Sequence, residues 1–169
     1  CPEPYFNFRD LLIQDTRDPA PSFPNPCDTN QQIPSGVPKF VHRRPVIEAD
    51  HIDTARVSYY AGNDSQLATV GDPGSPCQGE SFGAESITGG AWYTGAQYPS
   101  NYQNTYFAAD FARGWIKSFV FGPDHRPTLV QEFAPQGSSA AVCLTTDPAT
   151  GDLHYIDYDD IGNAVVHHV

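Results

Sequence analysis

The chain has no methionine, four cysteines and only nine basic residues against 20 acidic ones, and each shortage closes off a class of reading. A net charge of −11 repels nucleic acid and anionic membrane surfaces. No apolar run approaches the roughly 18 residues that a spanning helix needs, so no membrane span is expected. Cys1, Cys27, Cys77 and Cys143 form no C-x-x-C pair and stand at no zinc-ligand spacing with histidine. No Gly-x-Ser-x-Gly occurs, which leaves Ser138 and Ser139 without the setting of a nucleophile. Gly89-Gly90 is too short and too strand-like for a phosphate cradle. With no methionine to start it and no turn after its last apolar run, the chain is expected to be an excerpt of a longer one. A lipidated Cys1 at the start of a bacterial lipoprotein explains the beginning but not the end.

With metal and redox uses set aside, disulfides are the expected use of the cysteines. Cys1 and Cys27 bracket a proline-rich loop, and closing a loop of that length stabilises by ~3.5 kcal/mol in the chain-entropy model. Cys77–Cys143 is the second candidate pair. Such bonds imply an oxidising, extracytoplasmic compartment, secreted or periplasmic. Buried free thiols are the alternative.

What is present is β-sequence. No 3.6-residue stripe occurs between Ser86 and Ser118. Aromatic and β-branched runs there predict strands at Ile87–Tyr93, Thr105–Asp110 and Gly114–Phe121. Tyr98-Pro99-Ser100-Asn101 and Gly114 supply the turns. The pattern recurs at the C-terminus, where Leu153–Tyr158 matches Tyr106–Phe111, each an apolar strand closing on Asp and an aromatic residue. Asp110 and Asp157 are 47 residues apart, and Gly114 and Gly162 are 48 apart. Small sheets repeating at about 40–50 residues are the signature of propeller blades. The fold class expected is therefore all-β, a partial propeller, with residues 1–169 as one domain. Residues 1–85 are a loop-rich blade portion with an insertion, 86–139 a blade and 140–169 the start of the next.

Further strands are expected at Pro38–His42, Val57–Tyr60, Thr128–Phe133, Ala140–Thr145, Leu153–Tyr158 and Ala164–Val169. The proline-crowded Cys1–Pro45 is expected to be mostly loop, with Phe8–Ile13 either a helical turn or a short strand. Residues 43–51 read as a solvated loop, since the adjacent Arg43 and Arg44 would face opposite ways on a strand. Ala61–Phe82 reads as polar insertion around the Gly71-Asp72-Pro73-Gly74 turn.

The series SITGGAWYTGAQYPSNYQNTYFAADFARGWI, followed by DPATGDLHYIDY, resembles the late blades of the glucose/sorbosone dehydrogenase family, from about Ser86 to Val169 and more loosely from Cys1 to about His51. The resemblance implies a six-bladed propeller that in catalytic members carries pyrroloquinoline quinone (PQQ) and oxidises a sugar or related alcohol. A base takes the hydroxyl proton as hydride passes to the quinone. It also implies where late blades hold that cofactor: a lysine before the YP loop and an Arg-x-Arg pair ahead of the DP turn. Those positions fall here near Gln97 and Ser138–Ala140, all uncharged. Only Arg113, Gly114 and Trp115 keep the family pattern, where the resemblance implies a structural role, and Arg113 is the cation left to assign to the cofactor. The alternative function is a non-catalytic extracellular propeller that binds carbohydrate or protein.

The remaining candidates are weaker. Asp157–Gly162 opens like a calcium loop, but Ile161 stands where an acidic or amide ligand is wanted and no bidentate Glu follows. Asp110 and Asp157 suit a structural use, accepting hydrogen bonds at a turn. His167 and His168 point to opposite faces of a strand, and His42, His51, His125 and His154 have no partner at ligand spacing. Trp92, Tyr93, Tyr98 and Tyr102 suit either sugar stacking or packing between sheets.

Overall fold

A computed structural model of the chain describes residues 12–21, 24–25, 28–33, 40–158 and 161–169. Among these the protein is all β, with no α-helix and one 3-10 turn at Ser100–Tyr102. In chain order the strands are β1 (Leu12–Gln14), β2 (Pro24–Asn25), β3 (Asp28–Gln32), β4 (Phe40–His42), β5 (Ile47–Ala49), β6 (Ala55–Ala61) and β7 (Asp64–Thr69). They continue with β8 (Ile87–Tyr93), β9 (Thr105–Asp110), β10 (Trp115–Phe121), β11 (Pro127–Ala134), β12 (Ala141–Thr146), β13 (Leu153–Tyr158) and β14 (Ala164–His168). From β8 onward the bounds fall within a residue or so of those read from sequence. Before it two expectations are corrected: residues 43–51 contain β5 and Ala61–Phe82 contains β7; in the proline-rich segment β4 falls within the strand expected at Pro38–His42 and β1 overlaps Phe8–Ile13, while the β2-β3 hairpin was not expected. These strands are short and poorly alternating, and their existence rests on neighbours, as in the pairing of Ile47 with Val57 and of Leu12 with Phe40.

Three antiparallel sheets dominate: β5-β6-β7, the four-stranded meander β8-β9-β10-β11 and the three-stranded meander β12-β13-β14. The parallel pair β1-β4 and the β2-β3 hairpin complete the set. The chain divides into two compact units, Cys1–Pro45 with Ser58–Leu67, and Val46–Val57 with Ala68–Val169. In the first, the Tyr60 hydroxyl donates to the buried Asp15 carboxylate at 2.6 Å, and the Arg17 guanidinium lies 4.1 Å over the Tyr60 ring.

In the second unit the β8–β11 sheet is buried on both faces, because its strands put apolar residues on both sides of the pleat. One face, with Ala108, Trp115, Phe119 and Val130, packs with Ala55, Val57 and Phe82. The other, with Tyr93, Phe107, Ala109 and Ile116, packs against Ala141, Leu144 and Leu153 of the last meander. The edge strand β11 is covered. Gln78 lies parallel to Leu129, its amide donating to Thr128 O at 2.9 Å and its carbonyl accepting from Val130 N at 2.9 Å. Gly79 makes that approach possible. Its φ is +115°, and a Cβ there would run into the Val130 carbonyl.

No disulfide exists among the described residues, and the Cys77–Cys143 expectation is corrected: both are free thiols, Cys77 buried in the first apolar cluster and Cys143 exposed on β12. Cys1 and Cys27 lie outside the described residues. Burial pushes the Cys77 thiol up to about 11, and burial likewise raises the Tyr98 phenol to about 12. Each folded value lies above the unfolded one. Their contribution to stability is therefore whole below about pH 9 and lost as pH climbs through about 11 and then about 12. Iodoacetamide is expected to label Cys143 in the native protein and Cys77 only after unfolding, read by peptide mapping. Equal native labelling would mean that Cys77 is not sealed in the core.

Candidate functional site

The β8–β11 meander is held at its start by a carboxylate. Asp110 ends β9 fully buried. Its Oδ2 accepts from the amides of Glu85 at 2.8 Å and Ser86 at 2.7 Å, and its Oδ1 from the Arg113 amide at 2.8 Å. Asp157 repeats this on β13, its Oδ1 accepting from the Ala140 amide. The following aromatic residues repeat too: Phe111 N donates to Ser86 O at 2.8 Å and Tyr158 N to Ala140 O at 3.3 Å. In both meanders the aspartate closing the second strand ties down the residue that precedes the first. The structural use read for these two residues is what the geometry displays.

Arg113 turns its guanidinium inward, onto the same corner. It donates to the Asp53 carboxylate and to the His51 carbonyl, and Nε lies 3.2 Å from Glu85 Oε1. The Nε–Glu85 approach lacks hydrogen-bond alignment and is a charge contact only. Gly83 admits the group, since a Cβ there would stand 2.8 Å from Arg113 Cζ. Its cationic capacity is spent on the protein itself.

The other two positions that the resemblance singles out are also engaged. Gln97 Nε2 donates to Asp152 Oδ2 at 3.0 Å. Asp152 is buried, its Oδ1 has no hydrogen-bond partner, and His168 Nε2, whose ring stacks on His154, lies 3.7 Å from Oδ2. Ser138 and Ser139 form a turn, both amides donating to Gly114 O at 3.1 Å.

The four candidate aromatic residues separate. Tyr93 is fully buried, and its hydroxyl accepts from the amides of Gln97 and Tyr98, both at 3.0 Å. Tyr98 stacks on it at 4.0 Å, and Tyr102 donates to Glu132 O at 2.9 Å. Those three are packing residues. Trp92 points to the other face and stays 48 % exposed, braced by Tyr106 at 5.6 Å and Phe121 at 5.3 Å. Both bracing rings also line an apolar cleft of 260 Å³, with Ile47, Phe82, Ile87 and Trp115.

A second cavity, of 350 Å³, is polar and is lined by Gly79, Glu80, Lys117, Val130 and Glu132. Lys117 on β10 lies opposite Glu132 on β11, and it is only 7 % exposed. Burial pulls its ammonium below the usual lysine range, opposed by Glu132 and then Glu80. Sequence reasoning passed over this lysine. The signal was there, since in the run WIKSFVF a period of two puts Lys117 on the face of Trp115 and Phe119, the side that must be covered.

No group of three or more acidic, histidine or cysteine side chains among the described residues is arranged to hold a metal. Of the calcium candidate, Asp159 and Asp160 lie outside those residues, and the Asp157 carboxylate is engaged as above. No helix among them is long and apolar enough to cross a membrane. No family model, curated protein or solved structure matches the chain.

Proposed function

We propose that the chain supplies two late blades of a six-bladed propeller of the glucose/sorbosone dehydrogenase type, and that these blades bind a sugar or polyol rather than serve quinone-dependent oxidation. The blade reading draws support from two consecutive meanders that share the aspartate clasp and bury apolar faces against each other. The observation that carries the functional choice is Arg113. With its guanidinium committed to Asp53, Glu85 and the His51 carbonyl, and with Gln97 and Ser138–Ala140 uncharged, none of the three positions that the resemblance singles out offers a free cation for the carboxylates of PQQ. Burying those carboxylates unpaired costs several kcal/mol. Trp92, half exposed and braced edge-on by Tyr106 and at a tilt by Phe121, is the platform on which a sugar ring would stack. An extracytoplasmic location, secreted or periplasmic, accords with such a role.

The test is a pair of titrations on the full-length protein. Aldoses and polyols are expected to bind saturably by titration calorimetry, with about tenfold weaker binding in Trp92→Ala, the scale of one lost stacking contact. PQQ with calcium is expected to give neither stoichiometric binding nor dye reduction in the presence of aldoses. Tight quinone binding with sugar turnover defeats the proposal in favour of a sugar dehydrogenase. A flat sugar titration defeats its carbohydrate half.

A further inference from the structure

Lys117 is the chain's only deeply buried amine among the described residues, and nothing in the blade's architecture needs it there. Its Nζ forms no hydrogen bond or ion pair with a described residue and keeps access to solvent. Its Nζ lies 5.3 Å from the Phe82 ring centroid and 5.8 Å from that of Trp115. Glu132 across the ladder and Glu80 on the covering strap share its cavity but stand beyond ion-pair distance. An amine placed against aromatic faces and with two carboxylates within the same 350 Å³ has the parts of a carbonyl-capturing site. The volume is roughly ten waters' worth, room for a short-chain molecule and no more.

We infer that Lys117 is a reactive amine that captures small neutral hydroxyaldehydes as an imine, with Glu80 and Glu132 moving the protons. The Nζ lone pair adds to the carbonyl carbon as the carbonyl π bond opens onto oxygen. One Nζ proton passes by way of a carboxylate to that oxygen, giving a neutral carbinolamine. The proton that the Lys117 ammonium first gave to the other carboxylate, freeing its lone pair, then protonates the hydroxyl, which leaves as water and gives a protonated C=N bond; no oxidant or reductant is needed. The two carboxylates also set the substrate class. They accept hydrogen bonds from hydroxyls and repel a second carboxylate, so a neutral hydroxyaldehyde is favoured over an oxo acid.

The sequence provides its own comparator, because it holds just two lysines, Lys39 and Lys117. The native protein is incubated with glycolaldehyde and sodium cyanoborohydride, whose hydride reduces the imine to a stable secondary amine, and the labelled peptides are mapped by mass. Labelling of Lys117 is expected to exceed that of Lys39 by about tenfold or more, a modest share of what positioned proton transfer supplies. In urea the two should label alike. Glyoxylate should label Lys117 more slowly than glycolaldehyde does, and Glu132→Gln should slow labelling at Lys117 while leaving Lys39 unchanged. Equal or slower labelling of Lys117 in the native protein overturns the inference whatever the variant does. Faster reaction with glyoxylate overturns the assigned substrate class.

Discussion

Asp110→Ala is expected to lower the unfolding free energy by about 3–5 kcal/mol, among the largest effects of any single change in the chain. The residue is fully buried and its carboxylate accepts from three backbone amides on two segments. Hydrogen bonds to a charged acceptor are worth about 1.5–3 kcal/mol each, and the sum is discounted because Glu85 and Ser86 are exposed enough for water to take over. Asp157→Ala provides the contrast. Its carboxylate has one amide donor, so a loss of about 1–2 kcal/mol is expected. Urea denaturation of both variants measures the difference. A loss below about 1 kcal/mol for Asp110→Ala would show that the three amides find equivalent partners without it.

Phe107→Ala should cost about as much, ~3–5 kcal/mol, by a different route. The ring is fully buried, with those of Tyr93, Tyr98, Tyr102 and Phe133 at centroid distances of 5.0–6.2 Å. Truncation removes apolar area and leaves a void among rigid rings, three of which are held by their hydroxyls and cannot swing in to fill it. The near-UV circular dichroism of the tyrosines should weaken with the midpoint shift. An unchanged spectrum with a cost under about 2 kcal/mol would mean that the rings collapse into the space.

The later half of the fold was legible because its strands carry their own instructions. From Ile87 onward each strand is aromatic or β-branched, and each is bounded by glycine, proline or asparagine, so local preference and final pairing agree. The earlier half was not, because β5 and β7 are strands by partnership. Glu48 and Asp64 have no reason to be extended until a neighbour supplies hydrogen bonds, and a pattern search sees only mixed charge. The same limit governs the site residues. That Asp110 and Asp157 were equivalent could be read from spacing. That Arg113 closes on Asp53, 60 residues earlier, could not, since spacing carries no record of a contact across two loops. Lys117 sits between these cases, visible in the alternation of its strand but hidden by the habit of treating lysine as solvent-facing.

The strap at Gln78 has a meaning beyond covering β11. A sheet's last strand normally presents a row of free amides and carbonyls to any passing chain, the template from which fibrous association grows. Here the Thr128 carbonyl and the Val130 amide are already taken, by a parallel partner drawn from the protein's own backbone. The partner is kept to an isolated bridge, too brief to present a long new edge, and the glycine beside it lets it sit close enough to shut other strands out. The meander thus carries its own guard against pairing with its neighbours in solution.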